Sequence, residues 1–217
     1  MAGVDRTALA QVLANGVAEL HLDLSAGQQD QLLDYLALLG KWNHVYNLTS
    51  VRDPLQMMTL HLLDSLAAVP AFAGAQNVLD VGAGGGLPGL VLAIARPDMK
   101  VSMIDTVHKK TAFLTQVKVE LGLKNVTVYT KKVQDLVVNA PFDVITSRAF
   151  ADLSDFIDWS QHLLAEGGRF IALKGTAPQE ERERLPEDWK VQQLQPLRVP
   201  GLDAERHLVF VERSVTV

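Results

Sequence analysis

An apolar run delivers an acidic residue into a glycine-dense turn at Val78-Leu79-Asp80-Val81-Gly82-Ala83-Gly84-Gly85-Gly86-Leu87-Pro88-Gly89. Residues of these types can press a main chain against a ligand, because glycines at 82, 84 and 86 allow a sharp turn and carry no Cβ to obstruct close approach. Two chemistries use such a turn. A dinucleotide pyrophosphate meets the spacing GxGxxG at a helix amino terminus, but here the sixth position is Leu87, and Asp80 would stand near the phosphate entrance. The spacing DxGxGxG suits S-adenosylmethionine, which has no phosphate, carries a positive sulfonium and an amino group, and tolerates a nearby carboxylate. Asp80 is expected to face the ligand crevice. Asp105, which ends the next predicted strand, is placed to accept hydrogen bonds from both ribose hydroxyls; read alone such a residue is more often a strand end or helix cap. A third contact set is expected from Lys131-Lys132-Val133-Gln134-Asp135, bracketing an adenine, since ligands of open parallel sheets collect at the carboxyl ends of strands.

The acceptor chemistry is narrowed by what is missing. Methylation of an exocyclic amine commonly goes with an Asp/Asn-Pro-Pro-aromatic motif after the fourth strand, where this chain has Asp143-Val144-Ile145-Thr146-Ser147-Arg148-Ala149-Phe150. Carbon-5 methylation of a pyrimidine by the covalent route needs a cysteine nucleophile, and the chain has no cysteine. An acceptor that is already nucleophilic, such as guanine N7, fits better. No general base is then required, and catalysis rests on alignment and exclusion of water. Arg148 is singled out because a guanidinium can grip a guanine or a phosphate; a salt bridge to Asp143 or Asp152 is the competing reading. Arg206 poses the same choice. In Lys41-Trp42-Asn43-His44-Val45-Tyr46-Asn47-Leu48-Thr49, Trp42 reads as packing and Asn47 as a helix end, while His44 and His61 read as structural because no metal-like cluster accompanies them.

These residues need elements to position them. Leu9, Val12, Leu13 and Leu20 recur at helical spacing, Ser25 with Gln28 forms a possible capping box, and Asp53-Pro54 announces a third helix carrying Met57, Leu60, His61, Leu63 and Asp64. From residue 77 onward the texture alternates. Strands are expected near 77–81, 100–104, 125–129, 142–146 and 169–173, with helices near 87–95, 107–121 and 152–165, followed by two closing strands at Trp189 to Leu194 and His207 to Val211. That alternation predicts an α/β fold with a mostly parallel sheet covered on both faces. Residues 1–72 are expected to form a helical extension and 73–217 the main domain. The run Glu180-Glu181-Arg182-Glu183-Arg184 reads as a solvated helix face.

A net charge of −5 with 48% apolar residues is ordinary for a globular protein and lacks the basic footprint of many nucleic-acid binders. The average hides an asymmetry. Residues 1–75 hold three basic side chains against seven acidic, whereas residues 96–135 hold eight basic against four acidic. The amino terminus lacks the basic start and apolar core of a signal peptide, and no uninterrupted apolar run reaches membrane-spanning length, so a cytoplasmic location is expected.

Taken together, the chain resembles the bacterial glucose-inhibited division protein B family, RsmG. The likeness is carried by Lys41-Trp42-Asn43 with Tyr46-Asn47-Leu48-Thr49, His61-Leu62-Leu63-Asp64-Ser65-Leu66, the glycine turn through Leu87-Pro88-Gly89, Ser147-Arg148-Ala149-Phe150, Ala172-Leu173-Lys174-Gly175 and Glu205-Arg206-His207. The resemblance implies a class I, Rossmann-like methyltransferase with a seven-stranded sheet, using S-adenosylmethionine to methylate N7 of guanine 527 in the 530 loop of 16S rRNA. By matching positions it implies that Gly82 and Leu87 contact the methyl donor, beside Asp80, Gly84, Gly86 and Asp105, which the spacing of the turn and strand end already assigns to it. Val133 and Gln134 serve its adenine side, although many relatives have Glu where Gln134 stands. Arg148 lies where donor and guanine meet, with Arg206 as a second catalytic candidate. Lys109, Lys110, Lys131, Lys132 and Lys174 are the expected RNA contacts, a local basic surface on an acidic whole. No metal is expected, and a monomer suffices. A small-molecule methyltransferase, a ribosome-assembly binder without turnover and a dinucleotide oxidoreductase remain as rivals. Scattering of residues 109, 110, 131, 132, 148 and 206 over different faces would weaken the RNA reading.

Overall fold

The computed structural model describes residues 5–148, 150 and 152–214; residues 1–4, at the terminus read above, and Ala149 of the Ser147–Phe150 block lie outside the described residues. The helical part comprises α1 (Arg6–Glu19), α2 (Ala26–Tyr46), α3 (Pro54–Met57), a π-helical turn (Met58–Leu63), α4 (Asp64–Ala68) and a 3-10 turn (Val69–Phe72). Its boundaries follow local chemistry. Ser25 Oγ accepts from the Gln28 backbone N–H while the Gln28 side chain accepts from the Ser25 N–H, closing a capping box on α2. Asp53 caps α3 through Gln56 N, with Pro54 at the first helical position. Asn47 ends α2 in the left-handed region, φ 50°.

The remainder runs β1 (Asn77–Val81), α5 (Gly89–Ala95), β2 (Lys100–Asp105), α6 (His108–Glu120), β3 (Val126–Thr130), β4 (Phe142–Ser147), α7 (Leu153–Ser160), β5 (Leu164–Lys174), α8 (Gln179–Glu183), β6 (Trp189–Pro196) and β7 (His207–Arg213). Seven strands form one sheet in the order β3-β2-β1-β4-β5-β7-β6. The first five pair in parallel; β7 inserts antiparallel between β5 and β6. The two closing strands are thus antiparallel, as a hairpin reading required, but their spatial order reverses their order in the chain. α7 stops at Ser160, short of the expected helix end at 165, and β5 begins at Leu164 rather than 169.

Strand residues alternate between two apolar cores. Val78, Val101, Val144, Ile171 and Leu208 face one that also takes the inward faces of α1, α2, α5 and α6. Leu79, Ile104, Ile145, Phe170 and Val209 face the other, covered by Leu153, Phe156 and Ile157 of α7. Pro54–Phe72 is long and apolar enough by composition to cross a membrane, yet 67% of that window is buried inside the fold.

Candidate functional site

The glycine turn leaves β1 and is held by two carboxylates from neighbouring βα units. Asp80, fully buried, accepts from Gly89 N through Oδ2 at 2.9 Å, and Asp105 accepts from Gly84 N at 3.0 Å and from Val107 N at 2.9 Å. The Gly89 and Val107 bonds fix the main chain at the openings of α5 and α6, and the Gly84 bond ties the turn to the end of β2. From the other side the buried Tyr35 hydroxyl donates to Gly85 O at 2.6 Å, so α2 braces the same turn. Gly86 has φ 90°, and a Cβ there would sit 2.3 Å from Leu90 Cδ1. Its glycine serves helix packing as well as backbone freedom.

Burial pushes the Asp80 carboxyl up to about 7, against the Gly89 hydrogen bond and the Arg148 charge that pull it down, with the Asp105 charge adding to the rise. Its Oδ1 has no hydrogen-bond partner among the described residues. Asp80, expected to face the crevice, is therefore buried beneath the turn, and of the turn's own residues Gly84, Gly86 and the buried Leu87 do not line the adjoining cavity.

That cavity, about 550 Å³, opens at the carboxyl ends of β1, β2 and β3. Gly82, Asp105, Val133 and Gln134 line it together with Ile104, Val107, Phe150 and Trp159. Its size and mixed lining are ordinary for a small-molecule site. The residues fit S-adenosylmethionine. One carboxylate, 7% exposed, stands at the strand end, an apolar wall of Ile104, Val107 and Val133 can cover a base, and an unpartnered buried carboxylate oxygen lies behind the turn. Phe150 and Trp159 meet edge to face at 5.5 Å. Trp159, 42% exposed, was missed by sequence reasoning; its signal was a tryptophan lying off the apolar stripe of Leu153, Phe156 and Ile157. Lys110, Lys131 and Lys132 rim the cavity, Lys110 lying 3.6 Å from Asp105. Lys109 is exposed on α6 and lines neither this cavity nor the next.

A second cavity of about 350 Å³ lies farther along the same sheet edge, lined by Leu60, His61, Asp64, Arg148, Lys174 and Arg206 among others. Arg148, just beyond β4, reaches across to the helical part: Nη1 donates to Leu60 O at 3.1 Å and lies 3.4 Å from Asp64 Oδ2. Arg206, just before β7, donates from Nε to Asp64 Oδ1 at 3.0 Å. The expected partners of Arg148 are otherwise engaged. Asp143 accepts from Gln76 N and Asn77 N, and Asp152 caps α7 at Ser154 N and pairs with Arg184. Asp64 is 4% exposed; burial raises its pKa and the two arginines oppose that rise.

Lys174 donates to Phe150 O at 3.0 Å and pairs with Glu181 at 2.8 Å, its side chain 12% exposed. Glu181 also accepts from Leu153 N at the start of α7. The acidic run is thus not wholly solvated, because this one carboxylate turns inward to a buried ammonium. His61 is lowered to about 4, chiefly by burial and further by Arg148, and is neutral near pH 7. Its Nε2 lies 2.9 Å from Thr49 Oγ1, while Asn43 holds Thr49 N and Val51 O, so the 41–49 block braces the π-helical turn. Trp42 packs on Tyr46 and Phe113. Among the described residues no group of three or more His, Cys, Asp or Glu side chains could hold a metal ion.

The family described as rRNA small subunit methyltransferase G matches residues 28–209. Proteins named Ribosomal RNA small subunit methyltransferase G from Janthinobacterium sp. (strain Marseille) and Herminiimonas arsenicoxydans are 64% and 66% identical, each over 99% of this chain and 100% of the relative. Among solved structures, the O-methyltransferase from Bacillus cereus aligns with a TM-score of 0.57 at 18% identity, covering 83% of this chain and 91% of that one. The O-methyltransferase TomG from Streptomyces achromogenes aligns at 0.56 and 17%, covering 83% and 89%. At such identities the likeness establishes the fold, a class I, Rossmann-like methyltransferase sheet.

Proposed function

The chain belongs to the rRNA small subunit methyltransferase G family, and from that premise we propose that it transfers a methyl group from S-adenosylmethionine to N7 of a guanine in 16S rRNA, guanine 527. The observation that carries this reading is the placement of two cavities on one sheet edge, with Phe150 lining the first and Arg148 the second. Methyl transfer needs donor and acceptor sites that meet. We assign the larger cavity to the donor and the smaller, which holds three cations and one carboxylate, to the target nucleotide. S-adenosylmethionine supplies, when bound, a methyl group on a positive sulfur that leaves with the bonding pair.

The protein's own residues need not remove a proton, since guanine N7 carries none. That agrees with a site where His61 is neutral and tied to Thr49, and where Asp80 is buried under the turn. Arg148 cannot grip both N7 and O6 while N7 reacts, so its work is to hold O6 or a phosphate and to align the base. Asp105 orients the ribose and Val133 and Gln134 the adenine. Lys110, Lys131 and Lys132 attract the RNA backbone, with Lys109 beside them; Lys174, spent on Glu181 and Phe150, serves instead to hold the segment that bears Phe150. The chain works as a monomer in the cytoplasm, where its ribosomal substrate is, and the 1–72 extension braces the turn and supplies Asp64.

The test is to incubate the protein with labelled S-adenosylmethionine and unmethylated small subunits or naked 16S rRNA, then map the label. Label at guanine N7 is expected. Donor binding without transfer to guanine N7 overturns the reading.

A further inference from the structure

We infer that Asp64 is a positioning residue for methyl transfer: its single carboxylate sets the pose of both Arg148 and Arg206 at the wall of the acceptor cavity. The inference rests on the functional reading above and adds to it a residue in the helical extension. Three observations carry it. Asp64 divides its two oxygens between the two guanidiniums, Oδ1 to Arg206 Nε at 3.0 Å and Oδ2 to Arg148 Nη1 at 3.4 Å. The arginines come from opposite sides of β5, one following β4 and the other preceding β7, and among the described residues Asp64 is the acidic side chain that pairs with both. And Asp64 is 4% exposed on an apolar helix, with Ser65, Leu66, Ala67 and Ala68 buried around it, a place where a carboxylate is found only when paired.

The arrangement has a chemical consequence. Two guanidiniums on one carboxylate leave one positive charge beyond neutrality, aimed at a cavity also walled by Leu60, Leu173 and Leu197, which can cover a base face. Leu60 O takes the other bond of Arg148 Nη1 from within the π-helical turn, a distortion that recurs at functional sites. Between Leu60 O and Asp64 Oδ2 the Arg148 head is held from two directions. Without the carboxylate the two like charges repel and each guanidinium keeps only a main-chain acceptor, Leu60 O for Arg148 and Glu205 O for Arg206, so the target base loses its alignment while the donor crevice, walled by other residues, is untouched.

The experiment is a double-mutant cycle on rRNA methylation with Asp64→Asn, Arg148→Ala and the double variant, alongside donor binding by calorimetry and thermal melting. Asp64→Asn is expected to lower kcat on the order of 100-fold, to leave the donor Kd within about twofold, and to cost clearly less in the Arg148→Ala background, where only Arg206 remains to be released, since residues that act as a unit are not additive. If Asp64→Asn does not fold, Asp64→Glu takes its place in the cycle, because the extra methylene displaces both guanidiniums while keeping the charge. A wild-type kcat in the single variant, or full additivity with Arg148→Ala, overturns the inference. Failure of the wild-type protein to methylate guanine N7 overturns the functional reading instead, and the two failures are told apart by the wild-type control.

Discussion

The two cavities are built by different means. The donor crevice is made almost entirely from consecutive βα units, and its key bonds join carboxylates to main-chain amides: Asp105 to Gly84 N, Asp80 to Gly89 N. The acceptor cavity is made from side chains that meet across the fold, Arg148 with Asp64 over 84 residues and Arg206 with Asp64 over 142. A crevice of backbone amides is rigid and tolerates one kind of ligand in one pose. A cavity of charged side chains depends on every partner being present. Substitutions in the first should move affinity, and substitutions in the second should move turnover.

The sharpest separation is expected from Arg148→Ala, which should lower kcat for rRNA methylation on the order of 100-fold while donor Kd stays near wild type. Equal losses in both would merge the two regions into one. Asp105→Ala should do the reverse and weaken donor binding by roughly 1.5–3 kcal/mol, read by calorimetry, because it removes the proposed ribose contact and the bond to Gly84 N together. Gly86→Ala should lower stability by about 1–3 kcal/mol, the cost of a non-glycine residue at positive φ, with a further loss where its Cβ meets Leu90; urea melts measure it.

Asp80 makes a prediction about pH. Its folded-state pKa, about 7, lies above the ordinary carboxylate value of 3.8, so between those pH values the folded chain keeps a proton that the unfolded chain releases. Stability from this group is fully present below about pH 4 and declines as pH rises toward 7. His61, held neutral down to about pH 4, works in the opposite direction over part of that range. Asp80→Asn removes the first slope alone, so the melting temperature of Asp80→Asn relative to wild type should climb from pH 4 to 7 and then level off. A flat difference would place the Asp80 proton elsewhere. The smallest effect is expected from Lys109→Ala, outside both cavities. It should weaken rRNA binding by about one counterion's share of the salt slope, roughly 0.7–0.9, with kcat unchanged.

The same division governs what was legible in the chain. The capping box at Ser25, the Asp53-Pro54 start, the glycine turn and the strand-end Asp105 were readable because each is a local signal acting within a few residues. Seven basic residues could be named but not located; in the fold six of them, all but Lys109, reach one of two cavities on a single sheet edge. Asp64 stood inside a readable helix without being chosen, although a carboxylate on an apolar helical stripe must find a partner. Nothing in one sequence names that partner across 84 and 142 positions. The Asp143 and Asp152 alternatives for Arg148 were drawn from sequence proximity, and both side chains turned out to hold backbone amides.

By itself, the sequence determined the alternation of strands and helices, the glycine turn between β1 and α5, and the acceptor chemistries closed by the lack of cysteine. Those depend on residue type and short spacing, which a chain carries in any conformation. Only the tertiary structure decided that β7 lies between β5 and β6, that Asp80 supports the turn from beneath rather than facing the crevice, and that one carboxylate from the helical extension holds two distant arginines. These are relations of burial and long-range pairing, and they come into being when the sheet closes and water leaves the side chains it covers.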